Sequence, residues 1–247
     1  MNKSEKSLWR TSDRKHLLLG AFCSYCLSLV TLITFIFAMI AIPISGANAP
    51  GGGILYPYLD TIHQYPKDYI WQYLAMIMLC LYLITYIILK ELINQSKRIF
   101  VTVGSTFAIM TTVILLMNYY IQVNVVIISL LSKEFEGIPL LTQYNPHGIF
   151  IALEELGYLL MMISFVFLIP VFWNKETKSK SISIIYGIGV IGTIIGLIII
   201  HLKYGLDKQD RFEIVIISLT WLIMIINGIL IGNKMKKRNF VLTNAST

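Results

Sequence analysis

Glu154 and Glu155 stand side by side in "GIFIALEELGYLLMM", inside an apolar run, residues 147–172, long enough to cross a bilayer as a helix. An ionised carboxylate at the middle of such a helix costs about 3 kcal/mol on insertion scales. Three arrangements relieve that cost. The carboxyl faces a polar cavity, pairs with a cation, or holds a proton. Each suits a site that handles protons or cations. Each also suits a plain polar contact joining two helices.

The surrounding residues favour one face of this run. "YNPHG" precedes it, with Asn145 expected to cap the helix and Pro146 to occupy its first turn, where a missing N–H costs nothing. His147 then sits at the helix mouth. Glu154 follows two turns later on the same face, about 12 Å deep. Glu155 points about 100° away and shares a stripe with Tyr158. The preceding apolar run offers Asn118 and Gln122, four residues apart and at similar depth. The first polar loop offers Asp60 and His63, and the fifth run ends with His201. These eight residues (Asn118, Gln122, His147, Glu154, Glu155, His63, Asp60 and His201) form the candidate polar pocket.

Other chemistries are less well served. Histidine and carboxylate ligands suit zinc or iron. No H-E-x-x-H motif is present, however, and a metal would require His63, His147 and Glu154 to converge. No G-x-S-x-G motif marks a hydrolase nucleophile. Adjacent glutamates on one helix point apart and do not make a facing acid–base dyad. Cys23 and Cys26 have the C-x-x-C spacing but lie inside the first apolar run, where packing is the expected role. "GIGVIGTIIG" lacks the Lys-Ser/Thr of a phosphate-binding loop. No catalytic residue and no cofactor are implied.

The elements that must position these residues follow from hydropathy. The chain is 56% hydrophobic and only 13% charged, with mean hydropathy +0.73, too apolar for a water-soluble surface. Six runs span about 17–42, 70–89, 99–128, 147–172, 182–201 and 212–232. Backbone in lipid must satisfy its own hydrogen bonds, so the runs are helices; the alternating ten-residue segments of a barrel are absent. The expected fold is all-α, a polytopic transmembrane bundle of six spans. A basic tail (1–16) precedes it, an external loop (43–69) follows the first span, and a second basic tail (233–247) ends the chain. Gly192 with Gly196, and Gly228 with Gly232, have the GxxxG spacing that lets helices approach closely.

The formal charge of +7 is carried by residues flanking the apolar runs, which points to orientation rather than nucleic acid. Fifteen Lys and Arg fall in the two tails and the loops near 90–98 and 173–181, against five in the other three loops. Both termini are therefore expected in the cytoplasm. Ala47-Asn48-Ala49 has the small-x-small pattern of a cleavage site, but the run before it is too long for a signal peptide, so an uncleaved first helix is expected.

"YPYLDTIHQYPKDYIW" and "LLTQYNPHGIFIALEELGYLLMM" resemble segments of small bacterial six-helix membrane proteins, a resemblance that runs over most of the chain. It implies the same topology and a bacterial cytoplasmic membrane, and it brings no activity or site residues. The Ile, Lys and Asn bias fits an AT-rich bacterial genome. The functions expected are transport, or proton- or cation-coupled binding, at a pocket in the outer half of the membrane. The alternatives are a non-catalytic sensor, binding or immunity-type membrane protein, and an intramembrane metal-dependent enzyme. Membrane lipid is the expected partner, with a second copy of the chain or a small membrane protein as further candidates.

Overall fold

A computed structural model of the chain describes residues 8–9, 14–41, 53–174, 176–206 and 209–244. The small-x-small pattern at 47–49 lies outside the described residues. Six helices are long and apolar enough to cross a membrane. They are α1 (Arg14–Ile40), α2 (Ile70–Leu92), α3 (Arg98–Ile121), α4 (Ile149–Phe172), α5 (Thr177–Tyr204) and α6 (Gln209–Asn244). Helix α3 carries on through a π-helical turn (Gln122–Val126) and a last helical turn (Ile127–Leu131). The all-α, six-span bundle expected from hydropathy is the observed architecture. Among the described residues there is no strand; Trp9 and Ile93 form an isolated bridge.

Each helix packs on its chain neighbours, and α1 closes the bundle against α6. Helix α4 also touches α6, which leaves α5 in the outer groove between them. The most apolar stretch of α4 is 56% buried, against 28% for α5, so α4 is the central helix and α5 the peripheral one. The closest approach of α1 and α6 depends on the second glycine pair. A Cβ on Gly228 would lie 2.8 Å from the Ser24 carbonyl oxygen, and one on Gly232 would lie 2.7 Å from the Tyr25 ring. Ser28 Oγ donates to the Ile225 carbonyl across this contact, a bond that close backbones allow.

Two boundaries differ from the hydropathy reading. Helix α4 starts at Ile149 with Gly148 as its N-cap, not at His147. Asn145 is the cause. Its Oδ1 accepts the His147 N–H at 2.9 Å and its Nδ2 donates to the Pro139 carbonyl at 2.6 Å. The Asn-Pro pair thus closes a turn instead of capping the helix. At the other end of the chain, α6 does not stop at 232. It runs to Asn244 and takes most of the basic tail with it. Met235 is fully buried, and Lys234 is buried and paired with Glu176.

The three connectors α1–α2, α3–α4 and α5–α6 share one end of the bundle, and the first two form its cap. The connector before α2 has two 3-10 segments, Leu59–Gln64 and Lys67–Tyr69. The connector between α3 and α4 carries a one-turn helix, Ile138–Leu141, entered through Gly137 at φ +78°, a conformation that glycine adopts without strain. Tyr58, Tyr69, Val123, Ile127 and Tyr144 make a small core under this cap, separate from the main one.

Candidate functional site

Helices α4 and α6 enter the bundle from the connector end, and each brings a carboxyl inward within its first two turns. Glu154 lies about 8 Å along α4 and Glu213 about 6 Å along α6, so the two meet at the same level. They are 1% and 8% exposed, and their carboxyl groups come within hydrogen-bonding reach of each other. Both line a cavity of about 210 Å³. Asp210 lines it too, one turn nearer the connector, and makes an ion pair at its rim with Arg211 at 3.3 Å. Phe35, Trp71, Phe150 and Trp221 supply aromatic walls from four helices. Among the described residues no Lys, Arg or His lines this cavity.

A chain of hydrogen bonds ends on Glu154. Tyr119 Oη donates to Glu154 Oε1 at 2.6 Å and lies 2.9 Å from Tyr158 Oη. A hydroxyl has one proton, and that of Tyr119 is spent on the carboxyl, so Tyr158 donates to Tyr119. Trp221 Nε1 in turn donates to Tyr158 Oη at 3.0 Å. Indole has no acceptor, so the direction of the chain is set at its far end: Trp221 to Tyr158 to Tyr119 to Glu154. The 2.6 Å contact is in the short range of O–H donors to carboxylate oxygen. Helices α3, α4 and α6 are tied together at this point.

The ceiling of the site is a second set of polar contacts. Gln143 lines the cavity from the α3–α4 connector. Its side chain accepts from Gln72 Nε2 at 2.8 Å and donates to the Asp68 carbonyl at 3.2 Å, and its backbone N–H donates to Gln122 Oε1 at 3.0 Å. Gln122 Nε2 also donates to the Leu141 carbonyl. The π-helical turn begins at Gln122, and such turns re-aim side chains that regular helix would place elsewhere. Tyr144 Oη donates to Asp68 Oδ2 at 2.7 Å. Burial, and then the Asp68 carboxyl it faces, push the Tyr144 hydroxyl above the ordinary tyrosine range.

Of the eight candidates from the sequence, Glu154 alone lines the cavity. Asn118 is buried on α3, but its Nδ2 donates to the Phe150 carbonyl at 3.0 Å, and the residue beside it, Tyr119, is the one that reaches Glu154. Gln122 holds the ceiling. Glu155 is half-buried outside the cavity, close enough to repel Glu213. His147 is exposed and precedes α4, so the argument that it shares a helical face with Glu154 does not hold. Asp60, His63 and His201 are exposed as well and do not converge on Glu154. Among the described residues no three or more His, Cys, Asp and Glu are grouped to hold a metal ion.

The sequence reading missed Glu213 and Asp210, which lie at the mouth of the sixth apolar run. The signal was present as spacing: Glu213, Ile217 and Trp221 recur every four residues, one stripe of α6, and all three line the cavity. Tyr119, Tyr158 and Trp71 carry no charge that would mark them inside an apolar run. A separate polar knot, where Ser164 Oγ receives Tyr86 Oη at 2.9 Å and gives its own proton to the Met161 carbonyl at 2.5 Å, joins α2 to α4 further down the bundle and uses up its hydrogen bonds internally. Compared with family models, curated proteins and solved structures, the chain matches none.

Proposed function

We propose that this chain is a multi-pass protein of a bacterial cytoplasmic membrane that binds a cation at the Glu154–Glu213 cavity in exchange for a proton. The single observation behind this reading is the meeting of two buried carboxyls from different helices with no cationic side chain between them. Ionised carboxylates only accept hydrogen bonds, so two in contact need a donor from elsewhere. A proton supplies one, and a bound cation replaces it. In lipid, unlike water, the pair cannot remain doubly charged and bare.

The groups facing the pair are few. Tyr119 comes from α3, Tyr158 and Glu155 from α4, and Asp210, itself paired with Arg211, from α6. Helices α1 and α2 face it with Phe35, Ala38 and Trp71, which do not titrate. The unequal distribution of Lys and Arg supports cytoplasmic termini, which would open the cavity toward the outer face. Purified protein in weakly buffered detergent with a pH-indicator dye provides the test. At least one of sodium, potassium and benzylammonium should release up to one proton per chain, and Glu213→Gln should abolish the release while the protein remains folded. If none of the three cations releases protons from the wild type, the reading fails.

A further inference from the structure

Given a proton-linked cation site at this cavity, as proposed above, we infer that its ligand is a small organic ammonium with an apolar body of about one ring. The walls argue against an inorganic ion. A bare metal cation needs several oxygen ligands in a shell; calcium, for example, takes six to eight. Apart from the carboxyls, this cavity offers the side-chain oxygens of Ser218 and Gln143, and the Gln143 oxygen already accepts from Gln72. The remaining wall is aromatic and aliphatic. A metal ion held by Glu154 and Glu213 would face indole and phenyl rings on its other sides.

An ammonium head fits the same walls. It donates to the two carboxyls, and the aromatic rings of Trp71 and Trp221 in the wall would attract its charge. The volume sets the size of the body. At about 210 Å³ the cavity is somewhat larger than the engineered 150 Å³ cavity that takes benzene, which leaves room for one ring and a short charged arm. Trp71 is 6% exposed and lines the cavity beside the carboxyls. Carboxyls and aromatic walls thus converge on one space.

Tryptophan fluorescence and calorimetry of the wild-type protein test the inference, with benzylammonium, methylammonium, sodium and the uncharged benzyl alcohol as probes. Benzylammonium should half-saturate at a concentration about tenfold or more below methylammonium, and benzyl alcohol should fail to compete. Trp71→Leu keeps apolar bulk and removes the aromatic ring; it should weaken benzylammonium by about tenfold. Proton release by sodium without benzylammonium binding would overturn the inference and leave the proton-linked cation site standing. Equal binding of benzyl alcohol and benzylammonium would overturn it by reducing the cavity to an apolar hole. Silence from every cation would remove the underlying site as well.

Discussion

Tyr119→Phe isolates the hydrogen-bond chain from everything else at the site. Phenylalanine keeps the ring, and with it the edge contact to Trp71 at 5.3 Å and the tilted contact to Phe150 at 6.0 Å. Only the hydroxyl is lost, and it makes two bonds, to Glu154 and to Tyr158. Interhelical bonds in membrane proteins contribute about 0.6 kcal/mol on average and about 1.7 at most. Two such bonds give roughly 1 to 3 kcal/mol. Tyr158 is then left with a buried donor and no acceptor, which costs about 1 to 3 kcal/mol by itself, though part of this is recovered if the ring shifts. The expected loss is therefore about 2 to 4 kcal/mol, a 30- to 700-fold fall in the folded-to-unfolded ratio. Reversible unfolding in mixed micelles, titrated with a denaturing detergent, measures it. The neighbouring Tyr120, 60% exposed, is the control, and Tyr120→Phe should change nothing. A Tyr119→Phe protein within about 0.5 kcal/mol of wild type would show that the network does not hold α3, α4 and α6 together, whatever its geometry.

Three further outcomes follow from other parts of the bundle. Gly228→Leu should cost about 1 to 3 kcal/mol or prevent folding, because its Cβ would meet the Ser24 carbonyl at 2.8 Å; Gly187→Leu, with nothing within 4 Å, should be tolerated in the same unfolding assay. Tyr144→Phe should release the α3–α4 connector, read as faster amide exchange over 138–148. The raised pKa of Tyr144 gives stability that is complete below the ordinary value near 10 and is lost as pH climbs through the higher folded value, so wild type should loosen in strong alkali and the variant should not loosen further. Thr177→Cys, in a background with the three native cysteines replaced by alanine, should resist labelling from outside intact cells. Labelling there would invert the topology.

Much of the bundle was legible because the forces that make it are one-dimensional. Twenty apolar residues in a row must be a helix in lipid, and the GxxxG pair at Gly228 and Gly232 marks a close contact without naming the partner. The site was half legible for the opposite reason. Glu154 stands out because a charge in an apolar run is conspicuous. Glu213 does not, because it lies four residues into α6, where a charge resembles any other at a membrane boundary. Its meaning comes from the pairing of α4 with α6, a tertiary fact. His147 failed on a local competition. Asn145 can cap a helix or close a turn with the residue two ahead, and the Pro139 carbonyl, available only in the folded connector, draws its side chain into the turn. Tyr119 was passed over for Asn118 because amides look like polar partners and tyrosines look like core, although a tyrosine reaches further from the same helix.

The two adjacent glutamates, equal in the sequence, should behave as unlike residues. Glu154 touches Tyr119 and Glu213; Glu155 is half-buried beyond the cavity wall. Glutamine at 154 keeps an oxygen in place to accept from Tyr119, and its amide can donate to Glu213 without any shared proton. Stability should therefore change by less than about 1 kcal/mol. Proton release on cation binding should disappear, because the amide supplies permanently the donor that a proton supplies in the wild type. Glu155→Gln removes only a neighbouring charge and should leave the release in place. Alanine at 154 is the complementary change. It strands the Tyr119 hydroxyl and should cost about 1 to 3 kcal/mol, separating the loss of a hydrogen bond from the loss of a titrating group. If Glu154→Gln and Glu155→Gln release protons alike, the exchange does not run through the Glu154–Glu213 pair. The carboxyls would then be a helix contact, with the cavity beside them serving neither proton nor cation.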